Sequence, residues 1–165
     1  MPGSGKTAVG GILASRLGWE FVDTDKCIEG CEGMPLQAVL DRLGEEAFRR
    51  LEEETVLALD PKGPAVISTG GSVVYSEAAM RHLEGISSVF FLAVTLDAIR
   101  SHIGAESPRG IIGLSEGGLE GLLEERLPLY LRYAGAVVLI GPEGPEAAAG
   151  KILSRLPPDW QKQTP

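Results

Sequence analysis

The 165-residue sequence predicts an α/β protein, a three-layer α/β/α fold around a parallel sheet, and three observations carry that prediction. Short apolar strands alternate with helix-length stretches along the whole chain. Two of those strands empty into polar or glycine-rich corners, Asp23-Thr24-Asp25 and Thr69-Gly70-Gly71-Ser72, where open α/β sheets place their chemistry. The chain also opens with Met1-Pro2-Gly3-Ser4-Gly5-Lys6-Thr7, the closing part of the phosphate-cradling pattern G-x-x-x-x-G-K-S/T.

That opening stretch has a physical reason at each position. Gly3, Ser4 and Gly5 let backbone N–H groups turn onto phosphate oxygens, Lys6 reaches the β- and γ-phosphates, and the Thr7 hydroxyl can ligate Mg²⁺. Ala8 opens a helix over 8–17 whose N-terminus points at the anion. A bare Gly-Ser-Gly-Lys-Thr string also fits a flexible turn, and the motifs further along the chain favour the loop. The pattern's first glycine and the strand that feeds such a loop would lie before Met1. In three-layer folds of this kind that strand sits mid-sheet, so the first, central strand and the coding start are expected upstream.

The remaining elements come in order. Residues 19–22 alternate and β-branch as a strand ending at Asp23-Thr24-Asp25. Two short helices, 24–32 and 35–43, are separated by Gly33, and a longer helix over 45–59 carries Phe48, Leu51, Thr55 and Leu59 on one stripe. Pro61 and Pro64 bracket its stop. A buried strand at 65–68 runs into Thr69-Gly70-Gly71-Ser72, and Ser76 caps a helix reaching 84. Residues 88–93 are nearly all apolar, as a strand covered on both faces should be. A helix over 96–103 precedes the glycine-rich segment 104–118, which holds Arg109, lacks periodicity and is either a surface loop or a mobile lid. A helix over 119–133, a strand over 136–140, a turn over 141–145 and a helix over 146–156 complete one domain, 1–156, and residues 157–165 are expected to fray.

Composition sets limits on function. Apolar residues make up 44%, so the chain can build a core, while a net charge of −8 and a pI near 4.8 argue against broad contact with nucleic acid. No apolar run approaches a membrane span and no leader pattern opens the chain, which makes the cytoplasm the expected compartment and gives the membrane no part. Cys27 and Cys31 suit neither a disulfide framework nor a zinc site and read as packing thiols.

Singly, each candidate residue has a plain alternative: Asp-x-Asp can cap a helix, Gly-Gly can be a turn, and a helical arginine can be a solvated charge. Their order is the informative part. The sequence resembles the shikimate kinases through Gly3-Ser4-Gly5-Lys6-Thr7, Asp23-Thr24-Asp25 with Ile28-Glu29, Gly44-Glu45 to Phe48-Arg49 with Glu52, Ser68-Thr69-Gly70-Gly71, and Arg126-Leu127-Pro128-Leu129-Tyr130 with Ala134. The resemblance spans nearly the whole chain and implies a P-loop kinase fold. It implies an ATP- and Mg²⁺-dependent enzyme that phosphorylates the 3-hydroxyl of shikimate, on the route to chorismate and the aromatic amino acids, and it leans towards a monomer. By position, it makes Asp25 the contact to the acceptor hydroxyl and the candidate base. It gives Asp23 and Thr7 to Mg²⁺, Arg49 and Arg126 to the shikimate carboxylate, Gly71 to a backbone contact with substrate, and Arg109 to the lid over ATP. Lys6 and Arg109 would supply the charge neutralisation that phosphoryl transfer needs. Departures are Ser72 where the family has a third glycine and Arg109-Gly110-Ile111-Ile112 where its lid reads Arg-Pro-Leu-Leu. Arg100 lies near an adenine-stacking position. Two alternatives remain beside this reading: a related small-molecule kinase such as a gluconate kinase, and a shikimate-kinase-like binding protein without turnover.

Overall fold

A computed structural model describes residues 1–105, 112–113 and 117–161. Four strands are found among them: β1 (Glu20–Asp23), β2 (Ala65–Ser68), β3 (Phe90–Ala93) and β4 (Ala136–Leu139). The helices are α1 (Lys6–Leu17), α2 (Thr24–Glu32), α3 (Leu36–Leu57), α4 (Glu77–Ile86), α5 (Leu96–Ala105), α6 (Gly118–Tyr133), α7 (Gly144–Leu153) and α8 (Pro158–Gln161), with one 3₁₀ turn at Val73–Tyr75.

All pairing is parallel, as expected, but the ladder forms two halves, β1 with β2 and β3 with β4. A cavity of about 120 Å³ is lined by Ile67 of β2, Phe91 of β3, Met80, Tyr130 and Met1.

Side-chain alternation produces the three layers. Val66, Phe90 and Leu92 pack with Val9, Leu13 and Leu17 of α1 and with Ala148, Ala149 and Ile152 of α7. Their neighbours Ile67 and Phe91 point the other way, into Val56 of α3, Met80 and Leu83 of α4, Ile99 of α5 and Leu122 and Tyr130 of α6. Successive strand residues thus feed opposite cores, the signature of a sheet covered on both faces. A satellite cluster of Ile28, Val39, Phe48 and Ile112 fixes α2 against α3.

Three differences from the sequence reading have local causes. The two helices expected over 35–43 and 45–59 run together as α3, with a kink at Gly44 (φ 76°, ψ 166°), a conformation essentially confined to glycine. The strand expected over 88–93 enters the ladder at Phe90, opposite Ala136, with the Val89 carbonyl accepting from the Gly135 and Ala136 N–H groups where the partner begins. The tail, expected to fray from 157, instead forms α8, whose Trp160 ring lies 6.1 Å from that of Trp19. Residues 162–165 lie outside the described residues.

Candidate active site

The loop before α1 turns on Gly3 (φ 65°) and Gly5 (φ 80°). Nothing lies within 4 Å of a methyl group placed on Gly5, so it is the backbone conformation and not crowding that calls for glycine there. Gly5 caps α1 with no side chain on the first-turn N–H groups, which leaves those donors to a ligand. Buried Ser4 donates its hydroxyl to the Met1 carbonyl at 2.8 Å, and Lys6 Nζ folds back onto the same oxygen at 2.9 Å. Burial pushes the Lys6 ammonium below its ordinary pKa, against the opposing pull of Asp25 and Asp23.

Asp23 performs two tasks at the end of β1. Its Oδ1 accepts from the backbone N–H groups of Asp25 (3.0 Å) and Lys26 (3.4 Å), capping α2, so the plain helix-cap reading holds. Its Oδ2 accepts from the Thr7 hydroxyl at 2.9 Å, joining the cap to the phosphate loop. A hydroxyl and a carboxylate oxygen held together beside a phosphate cradle are a donor set suited to a hard cation. Among the described residues there is no cluster of three or more His, Cys, Asp or Glu to hold a metal by itself. A cation here would draw further ligands from phosphate and water.

Asp25 comes two residues later, half-buried. Burial raises its carboxyl pKa, Lys6 opposes the rise, and Asp23 and Glu29 add to it. Gly70 locates a second carboxylate: a methyl group there would collide with Glu52 Oε1 and lie 3.3 Å from Asp25 Oδ1. Glu52 is 6% exposed, accepts the Ser72 hydroxyl, and has its pKa raised to about 7 chiefly by burial and secondarily by Asp25; the Ser72 bond, Arg126 and Arg49 oppose the rise. Ser72, the departure from a third glycine, turns its side chain into this contact.

Arg126, on α6, is 2% exposed. Its Nη2 donates to the Ile112 carbonyl at 2.7 Å and its Nε to the Tyr75 hydroxyl at 3.1 Å. The Gly71 backbone sits against it, since a methyl group on Gly71 would lie 3.1 Å from Arg126 Nη1. The Gly71 carbonyl is taken by the Tyr130 hydroxyl at 2.8 Å. Arg49, on the far half of α3, lies over the Tyr75 ring at 4.2 Å. A single point, a methyl group on Gly113, would be 3.7 Å from Arg49 Nη2 and 3.8 Å from Arg126 Nη2, so the two guanidiniums converge.

These groups share one cleft of about 860 Å³, which runs from the phosphate loop to Asp25, Glu52, Gly70, Gly71 and Arg126 at one end and to His102, Gly141 and Pro142 at the other. Gly3, Ser4, Gly5, Lys6, Thr7 and Ala8 all line it; Asp23 and Arg49 do not. Arg109 lies outside the described residues, as do 106–111 and 114–116 of the expected lid. Arg100 is engaged by Asp97 and Glu120. Sequence reasoning assigned no role to Tyr75 or to His102, whose Nδ1 meets the Gly3 carbonyl at 2.9 Å. Glu52 entered only as part of a motif, although its spacing of three from Arg49 on a helix puts both on one face.

The family model for shikimate kinase matches residues 2–157. This chain belongs to the shikimate kinase family. It is 36% identical over 155 residues to the shikimate kinase of Thermodesulfovibrio yellowstonii, covering 92% of this chain and 88% of that protein. It is 37% identical over 157 residues to that of Thermobifida fusca, covering 94% and 91%. Among solved structures, shikimate kinase from Acinetobacter baumannii in complex with shikimate superposes with a TM-score of 0.83 at 29% identity over 93% of this chain and 88% of that one. The enzyme from Aquifex aeolicus gives 0.77 at 28% identity, over 92% and 89%. Family membership makes the chain an ATP-using phosphotransferase acting on a hydroxyl group, built on the P-loop α/β fold described above.

Proposed function

We propose that the chain transfers the γ-phosphate of ATP to the 3-hydroxyl of shikimate, giving shikimate 3-phosphate. The observation that carries this reading is the convergence of Arg49 and Arg126 at Gly113, with Arg126 also against Gly71, beside a cleft that holds Asp25 and the phosphate loop. Guanidinium groups bind a carboxylate bidentately, and two of them give an acidic protein a local site for an anionic acceptor. The acceptor's hydroxyl would then face Asp25, between carboxylate clamp and phosphate loop.

In the transfer, the acceptor oxygen forms its bond to the γ-phosphorus as the β–γ bridging bond breaks, and the hydroxyl proton passes to Asp25. Burial raises the Asp25 pKa and so makes it a better proton acceptor than a solvated carboxylate. Lys6 would leave the Met1 carbonyl for the β- and γ-phosphates, with loop N–H groups and the α1 N-terminus taking the remaining oxygens. Arg109 is assigned to the lid over ATP, and Gly71 to a backbone contact with shikimate. Thr7 and Asp23 would hold Mg²⁺, which when bound neutralises phosphate charge. The same reading takes residues 1–156 as one kinase domain with its lid at 104–118, monomeric and cytoplasmic, serving chorismate and aromatic amino acid biosynthesis. It gives no part to nucleic acid or membrane. No helix among the described residues is long and apolar enough to cross a membrane.

The test is shikimate-dependent ADP release in Mg²⁺, with gluconate as the competing acceptor. Asp25→Asn is expected to lower kcat by about 10²- to 10⁴-fold with shikimate KM within about threefold of the parent. Preferred turnover of gluconate, or binding of shikimate and ADP with no turnover by the parent chain, would overturn the assignment.

A further inference from the structure

Tyr75 lies where α3 and α6 present their arginines, and it touches both. The Arg49 guanidinium carbon sits 4.2 Å from its ring centroid and that of Arg126 5.1 Å. Its hydroxyl accepts from Arg126 Nε at 3.1 Å and donates to Glu125 at 2.7 Å. The residue is itself held firmly. It ends the 3₁₀ turn closed by its own N–H on the Ser72 carbonyl at 3.0 Å, behind buried Val73 and Val74, and it precedes Ser76, the N-cap of α4.

The nature of these contacts matters as much as their number. Among the described residues Arg126 makes no ion pair; a carbonyl and a phenol fix its direction. Arg49 has a carboxylate, Glu45, only at 3.9 Å, and its buried Nε has no hydrogen-bond partner, so the aromatic face is its close contact. A carbonyl and a phenol orient Arg126, and the Tyr75 ring is the close contact of Arg49, whose neighbour Glu45 also accepts the Gly113 N–H at 3.2 Å. A carboxylate arriving near Gly113 would meet two aimed guanidiniums, one of them shared with Glu45.

We infer that Tyr75 is the positioning residue of this anion clamp, its ring setting Arg49 and its ring and hydroxyl together setting Arg126 for the acceptor's carboxylate. The inference rests on the proposed role of those arginines. Tyr75 touches no reacting atom, so its removal acts on affinity for the acid and not on the chemical step.

The experiment compares shikimate with its neutral carboxamide as ligands of the parent, Tyr75→Leu and Tyr75→Phe. Tyr75→Leu should weaken shikimate about tenfold, and Tyr75→Phe, which keeps the ring, about threefold. Carboxamide affinity, ADP affinity and kcat should stay within about twofold in both variants. Equal weakening of acid and carboxamide would make Tyr75 plain packing, and unchanged shikimate affinity in both variants would remove it from the clamp; either result overturns the inference. Arg49→Lys and Arg126→Lys, measured on the same pair of ligands, separate the two levels. If they weaken acid and carboxamide equally, the clamp itself is wrong; if they weaken the acid selectively and the Tyr75 variants do not, only the role of Tyr75 falls.

Discussion

Two carboxyl groups, buried Glu52 and half-buried Asp25, flank Gly70, and both have raised pKa values because burial penalises their charged forms. For Glu52 the native pKa of about 7 lies above the ordinary carboxylate value of 4.5, so the folded state binds the proton more tightly than the unfolded chain. The Glu52 contribution to stability must therefore fall as pH rises from about 4.5 through 7 and level off above that, costing on the order of 2–3 kcal/mol at the top of the window. Asp25 adds a slope of the same sign. Thermal unfolding between pH 5 and 8 checks this: Glu52→Gln should flatten the decline in Tm, and parallel curves for variant and parent would refute it. These details separate what the sequence revealed from what it hid. Lys6, Thr7 and Asp25 were legible because contiguous motifs carry their meaning. Tyr75 and the Ser72–Glu52 contact join residues from separate elements across 51 and 20 positions, and no periodicity encodes such meetings.

The kink at Gly44 does for α3 what a loop would do elsewhere. The first half of the helix packs Val39 with Ile28 of α2, while the second half carries Arg49 and Glu52 towards the cleft, and one glycine sets the angle between them. A methyl group on Gly44 would meet nothing within 4 Å, so Gly44→Ala tests conformation alone. It should cost on the order of 1–3 kcal/mol and lower Tm by several degrees. It should also weaken shikimate more than ADP, since only the acceptor end of the cleft hangs on the far half of the helix. A neutral Tm would show that the backbone there adapts freely. At this scale the sequence was most readable where breakers punctuate it. Gly33, Gly44 and the prolines around 61–64 mark real interruptions, and the apolar runs at 65–68 and 88–93 mark real strands. Less readable were features made by tertiary packing: the 3₁₀ turn at Val73–Tyr75, and the closing helix that brings Trp160 to Trp19.

Taken whole, the molecule sets a net charge of −8 against a site whose proposed cations are few and placed by different elements: Lys6 by the loop and α1, Arg49 by α3, Arg126 by α6. On the proposed reading such an arrangement binds compact anions and repels extended ones. It also divides the cleft energetically, with the phosphate loop and Asp23 at one side of Asp25 and the arginine pair at the other, so nucleotide can stabilise the fold without shikimate. ADP at about 100 times its Kd should add about 2.7 kcal/mol and raise Tm by roughly 5–10 °C. If Thr7 and Asp23 hold Mg²⁺ against the phosphates, chelation with EDTA should remove part of that gain. Thr7→Val should lose the Mg²⁺-dependent part while keeping the gain seen in EDTA, because the valine retains the bulk but cannot ligate the ion. A rise in Tm that EDTA leaves untouched would detach the metal from this pair of residues. A Thr7→Val protein that ADP fails to stabilise even in EDTA would show that the Thr7–Asp23 bond supports the loop itself, and the cation's role would have to be sought elsewhere in the cleft.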